Sequence, residues 1–217
     1  ESAKAAFSIL DSNVQFERVD SHSLDIILKT AFGSIYFEYL SSGFKSLIIL
    51  ILGIIKEIEF RLSDSHVSVE NFDGIVVIDE IELHLHPTWQ TQVVGMLLKI
   101  FPKAQFFIST HSPHVVQSLD PDQLIALKEV DGNIMQRDLL ASETGYVGWT
   151  VEEILRDVMG MEDTNSDSFQ HLWKTFTTSI ENEDVDKARE AGQRLLAMMH
   201  PGNVLRKVID LQLTSLS

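Results

Sequence analysis

The sequence predicts an α/β fold built on a parallel sheet, followed by a helical C-terminal appendage. Two continuous apolar runs, Ile75-Val76-Val77-Ile78 and Gln105 to Ser109 with Phe106, Phe107 and Ile108, show no polar alternation. Strands covered on both faces in a parallel sheet have this character. The stretch between them suits one helix, and strand, helix and strand in that order form a βαβ unit. Beyond Ser142 the strand-like runs stop and helical patterning takes over.

Short β-type runs fill the start: Val14 to Val19, Leu24 to Leu28 and Ser34 to Phe37, separated by breaks such as Ala31-Phe32-Gly33. From Ser42 to about Phe60 the pattern is helical and so apolar that the helix is expected to be buried on most sides. Arg61 to Asp73 reads as a polar loop before the first buried strand. Pro87 suits the first turn of the next helix, where its missing N–H is not needed, and Trp89, Val93, Val94, Leu97 and Ile100 form that helix's apolar stripe. Ile125 to Val130 and Ile134 to Asp138 read as a hairpin across Asp131-Gly132. Thr150 followed by Glu153 reads as a reciprocal helix cap. Two or three more helices run from about Asp167 to Leu213, with breaks near Glu181 to Asp184 and at Pro201-Gly202.

A chain of 217 residues with 44% hydrophobic content can bury one sizeable core and a smaller appendage. Its formal net charge of -15 argues against a chain-wide nucleic-acid surface, because affinity for DNA comes largely from Lys and Arg on phosphates. With no Cys there is neither a disulfide scaffold nor a thiolate metal site. The most apolar run, Leu47 to Ile55, is far shorter than the roughly 20 residues a bilayer helix needs. No signal-peptide pattern opens the chain, so the expectation is a cytoplasmic protein without membrane contact, read as a fragment of a longer one.

Three short elements carry the chemistry. Asp79-Glu80 ends the first buried strand, at the sheet edge where α/β folds place ligands. A Mg²⁺-dependent phosphate hydrolase needs one carboxylate for the metal and another to orient or deprotonate water. Ser109-Thr110-His111-Ser112-Pro113 ends the second strand and brings a His and hydroxyls to the same edge. Leu40-Ser41-Ser42-Gly43 precedes the apolar helix, where Ser hydroxyls and free N–H groups can hold an anion. Each has an ordinary reading by itself: a solvated loop start, a helix-capping His, and a Ser N-cap.

In order, the three resemble the signature motif, the Walker B strand with its glutamate, and the switch histidine of ATP-binding-cassette ATPases. The run Asp79 to Pro87 resembles the D-E-x-x-x-x-L-H-P form of SMC-like and OLD-like ATPases, and Thr110 to Val116 is similar to theirs too. Ser142-Glu143-Thr144-Gly145-Tyr146, Trp149 and Ile154 to Gly160 resemble the tail of bacterial anti-phage ATPases of the Septu and retron-associated type. The resemblance runs from about Ser34 to Gly160. It implies the C-terminal lobe of an ABC-type P-loop NTPase head over residues 1–140, and a helical appendage over 141–217.

It further implies that Asp79 holds Mg²⁺, Glu80 is the general base and His111 contacts the γ-phosphate of ATP. Leu40, Ser41, Ser42 and Gly43 would cap a nucleotide held by a second subunit, and His84 would touch that subunit, giving a homodimer with composite sites. Two departures stand out. Phe44 follows the signature Gly where the family usually has a polar residue, and no G-x-x-x-x-G-K-[ST] run occurs among the 217 residues. In the family that P-loop lies in an N-terminal lobe. Zinc held by His84, His86, His111 and His114 is disfavoured, because no Cys or ligand spacing supports a closed site. An OLD-type nuclease is disfavoured because the region after Gly160 offers only helical patterning, though a separate nuclease partner fits. Nucleic acid would be met through parts outside these residues. The other alternative is a non-catalytic ATPase-derived interaction module, against which Asp79, Glu80 and His111 together argue.

Overall fold

The computed structural model describes residues 2–62, 68–139, 145–161 and 165–215, which form two compact units, Glu1–Met161 and Glu162–Ser217. The expected boundary at 140/141 and the run Ser142-Glu143-Thr144 lie outside the described residues, as does the middle of the expected polar loop.

The first unit opens with a helix the sequence reading did not anticipate, α1 (Ser2–Leu10), whose Ala6, Phe7 and Leu10 are buried. Three antiparallel strands follow, β1 (Gln15–Val19), β2 (Ile26–Thr30) and β3 (Gly33–Tyr36), in that spatial order. β2 begins later than expected because Asp20 folds the preceding segment into a turn. Its Oδ1 accepts from the His22 and Ser23 N–H groups at 2.9 and 3.0 Å, and Leu24 takes a φ of 61°. Those backbone N–H groups hold the exposed Asp20 carboxyl below its ordinary pKa.

Helix α2 (Ser42–Arg61) is the main core element. Phe44, Leu47, Ile48, Ile51, Ile55 and Ile58 line its buried face, while Ile49 on the opposite face is exposed. The expectation of burial on most sides is therefore corrected to one face. A 3-10 turn at Val69–Asn71 drops Val69 into the same core.

β4 (Ile75–Ile78) and β5 (Gln105–Ile108) pair in parallel, from Ile75 opposite Gln105 to Ile78 opposite Ile108. Both were expected to be covered on each face, and here the structure differs. Ile78, Phe106 and Ile108 pack against the core and Val76 is half-buried, whereas Ile75, Val77 and Phe107 are 66%, 76% and 57% exposed. Successive side chains of a strand point to opposite faces, so one uncovered face exposes every second residue. Beside β4 this leaves a groove of about 620 Å³, lined by Ile49, Gly53, Ile54, Phe72, Ile75 and Val77 among others.

The single helix expected after Pro87 is two, α3 (Pro87–Gln90) and α4 (Val93–Ile100). At the break the Thr91 hydroxyl bonds back to Thr88 O, and the Gln92 N–H reaches only to Trp89 O, tightening the turn. Helix α5 (Pro113–Gln117) follows β5. The predicted hairpin forms from β6 (Leu127–Val130) and β7 (Asn133–Gln136), with positive φ at both Asp131 and Gly132 as its two-residue turn requires. Thr150 and Glu153 make the expected capping box at α6 (Val151–Glu153), which runs on into a π-helical turn, Ile154–Val158. Ile154, Val158, Tyr146, Val116 and Ala126 form a second small core.

Among its described residues the other unit holds three helices, α7 (Asp167–Glu181), α8 (Val185–Met198) and α9 (Leu205–Ser215). Leu172, Phe176, Ala191, Leu195, Met199 and Ile209 make its core. Asp184 caps α8, and its contacts with the side chain and N–H of Lys187 hold the exposed carboxyl below its ordinary pKa. No helix among the described residues is long and apolar enough to cross a membrane.

The two faces of α2 make a stability test. Ile51→Ala should destabilise this chain by about 2–5 kcal/mol, the range for truncating a buried aliphatic side chain, while Ile49→Ala should stay within about 0.5 kcal/mol. Urea denaturation of both variants reads the difference; equal losses would contradict this orientation of the helix.

Candidate active site

The parallel register sets the ends of β4 and β5 side by side. Ser109 N–H donates to Ile78 O at 3.0 Å, and Ile81 N–H donates to Ser109 O at 3.2 Å. Between these backbone bonds the Ser109 hydroxyl accepts from the Glu80 N–H at 2.8 Å and donates to Asp79 Oδ1. One serine thus fixes both acidic residues. Asp79, Glu80 and His111, predicted as site residues, are all exposed on this edge.

From Glu80 the chain makes two successive tight turns, with Leu83 N–H bonding to Glu80 O and Leu85 N–H to Glu82 O, each at 2.9 Å. Buried Ile81 and Leu85 anchor the loop, and Leu83 and His84 face solvent. Glu80 and His84 adopt φ values of 48° and 64°, a region that side chains with a Cβ seldom occupy. Such backbone persists only where its surroundings over-determine it, which the flanking bonds do here.

Two further side chains tie this loop to the β5 end. Glu82 Oε2 accepts from the Thr110 hydroxyl and Oε1 from the His111 N–H, both at 2.6 Å. Gln90 donates to Leu85 O at 2.8 Å and accepts from the Ser112 hydroxyl at 2.7 Å. Ser112 in turn caps α5 through the His114 and Val115 N–H groups. His86 caps α3, and His114 lies 3.4 Å from Gln117 Oε1, so these two histidines have local structural partners.

The predicted nucleotide-binding residues Leu40, Ser41, Ser42 and Gly43 gather at the start of α2. Ser41 is the N-cap, its hydroxyl accepting from the Phe44 N–H at 3.3 Å, so its ordinary capping role is real. Ser42 is exposed in the first turn. Gly43 lies under the indole of Trp89: a Cβ there would sit 2.5 Å from Trp89 Cδ1 and 2.9 Å from Nε1. Phe44 packs edge-on against the same ring at 5.8 Å. The apolar Phe44, a departure in the sequence, is therefore a core residue gripping α3.

Glu82 and Gln90 were given no role from the sequence, while Ser109 was read only as one of the strand-end hydroxyls and Trp89 only as part of an apolar stripe. A signal existed for two of them. Glu82 is the third carboxylate within four residues, and Ser109 directly precedes the Thr110-His111 pair.

Residues 9–117 match the family described as "AAA domain, putative AbiEii toxin, Type IV TA system". The chain belongs to that family. It is 46% identical over 212 residues to the Septu protein PtuA of Bacillus thuringiensis, covering 97% of this chain and 54% of that protein. It is 37% identical over 117 residues to the "Retron Ec83 probable ATPase" of Escherichia coli, covering 54% of this chain and 21% of that one. The "Retron Vc95 probable ATPase" of Vibrio cholerae is 38% identical over 131 residues, at 60% and 25% coverage. The resemblance read from the motifs is met by these relatives, of whose length the chain spans about half or less. A solved chain described under ATP-driven dimerisation and DNA-stimulated activation of SMC ATPases aligns at TM-score 0.43 and 18% identity, covering 63% of this chain and 81% of that one.

The Trp89 cover over Gly43 is testable. Gly43→Ala should cost about 1–3 kcal/mol, as inserted methyl groups do in packed sites. Combining it with Trp89→Leu should cost less than the sum of the two single changes in thermal denaturation. Additive losses would mean the two residues do not press on one another.

Proposed function

We propose that this chain carries the hydrolytic half of an ATPase site in an anti-phage ATPase of the Septu and retron-associated kind. The observation that carries the reading is the Ser109 bridge, which holds Asp79 and Glu80 next to His111 at the C-terminal edge of a parallel strand pair. The donor set fits Mg²⁺, a hard cation that takes carboxylate and hydroxyl oxygens: Asp79 is exposed, and Ser109 orients its carboxylate. Asp79 would hold the ion directly or through its water shell, and the ion would supply neutralisation of phosphate charge.

Glu80 is the general base or water-positioning group. Its backbone is held by Ser109, and its carboxylate projects from the exposed edge that an incoming water must reach. His111 donates to the γ-phosphate. Ser42 and the N–H groups at the start of α2 cap the γ-phosphate of a nucleotide held by a second copy, with His84 at that interface. ATP then serves as substrate and as the link between subunits.

The phosphate cradle of backbone N–H groups and Lys has no counterpart among these 217 residues. We assign it to a P-loop segment that completes the open face of β4 and β5 and fills the apolar groove beside α2. The uncovered Ile75, Val77 and Phe107 support this, as does the greater length of the relatives. The proposed action is assembly or gating of a defence complex, with a nuclease as partner.

In the complete polypeptide, Glu80→Gln should lower hydrolysis by roughly 10²–10⁴-fold, the usual contribution of a general acid or base. ATP binding should persist and the nucleotide-bound dimer should live longer. Ser42→Arg should abolish ATP-driven dimerisation while single-subunit nucleotide affinity holds. Turnover, affinity and dimer lifetime check both; normal hydrolysis by Glu80→Gln refutes the base, and normal dimerisation by Ser42→Arg refutes the composite site.

Val77→Asp tests the covered face separately. It should destabilise the complete polypeptide by well over the roughly 0.5 kcal/mol typical of an exposed position, since it places an unpaired charge under the added layer. A change within that limit means the face stays open.

A further inference from the structure

Glu82 stands apart from the other acidic residues of the site in what its carboxylate does. Both oxygens are engaged, one by the Thr110 hydroxyl and one by the His111 N–H, at 2.6 Å each. These are short, charge-assisted bonds, the stronger kind in proteins. Glu82 is partly buried and sits between the two tight turns of the loop that carries His84. With both oxygens committed to donors, it is poorly placed to activate water, unlike Glu80.

The bond to the His111 N–H fixes the backbone from which the imidazole projects. On the far side of His111, the Ser112 hydroxyl is held by Gln90, which also grips Leu85 O at the end of the same loop. His111 is therefore bracketed by two ties to one segment, Glu80 to Gln90. Glu80 and His84 in that segment both hold positive φ, which side chains with a Cβ seldom occupy.

We propose that Glu82 is a positioning residue for His111, coupling the loop that carries His84 to the histidine that meets the γ-phosphate. This rests on the ATPase reading above. It gives that reading a route by which contact at the subunit interface sets hydrolysis within each site.

The test uses the complete polypeptide with Mg²⁺-ATP. Glu82→Ala should lower kcat by roughly 10–100-fold, the range for lost supporting contacts around a reacting group. KM should stay within about twofold, because the loss falls on the reacting state rather than on binding. Glu82→Gln should recover most of the rate, its amide oxygen accepting from the His111 N–H while its NH₂ donates to a turned Thr110 hydroxyl. In the His111→Ala background, Glu82→Ala should cause no further loss. If Glu82→Ala does not fold, Glu82→Asp replaces it in both backgrounds, drawing the carboxylate back by one methylene, with the same loss expected. Wild-type kcat in the Glu82 variant beside a slow His111→Ala overturns the inference alone, as does a loss that multiplies in the double variant. No turnover by the wild type, or full turnover by His111→Ala, removes the ATPase reading itself.

Discussion

Everything at the site depends on the parallel pairing of β4 with β5 in one register. Ile78 opposite Ile108 puts Ser109 next to Asp79 and Glu80, and the backbone bonds on either side of Ser109 admit no slippage. A shift of β5 by one residue against β4 would turn its alternate side chains over, exposing Phe106 and Ile108 and burying Phe107. It would also carry the Ser109 hydroxyl away from both acidic residues. The apolar face on the α2 core and the polar bonds at the strand ends thus demand the same alignment, and each supports the other.

The site is built from backbone-directed side chains more than from ion pairs. Ser109, Glu82, Gln90 and Ser112 each reach a main-chain group or a hydroxyl on the neighbouring segment. Exposed ion pairs contribute little, and those among the described residues, such as Arg61 with Glu57 on α2 and Arg18 with Glu17 on β1, involve none of the site residues. Hydrogen bonds of fixed direction are what can hold Glu80 and His84 in left-handed backbone conformations. At the other end of the same segment, Trp89 lies over Gly43 and against Phe44, so the loop after β4 also shapes the start of α2.

The open face of the sheet is the complement of this order. One side of β4 and β5 is half-buried, with Ile78, Phe106 and Ile108 on the core, while the other presents Ile75, Val77 and Phe107 to solvent beside an apolar groove. This apolar surface is continuous with the exposed side of α2.

Local chemistry made much of this legible in advance. Continuous apolar runs announced β4 and β5, Asp131-Gly132 specified the hairpin turn, and Thr150 with Glu153 specified a cap, because each signal acts within a few residues. The Asp79-Glu80 pair and His111 could be nominated because strand ends in a βαβ unit share an edge. Nine-residue α1 was invisible because a helix so short is marginal by itself and forms here by burying Ala6, Phe7 and Leu10. The break after Gln90 escaped notice because the apolar stripe continues across it. Glu82, Gln90 and Trp89 acquire their roles from partners far away in the chain, at Thr110 and His111, at Ser112 and at Gly43. Periodicity and composition record which face of a segment is apolar; which distant hydroxyl or amide meets a given carboxylate is settled only when the strands have paired and the loops between them have closed.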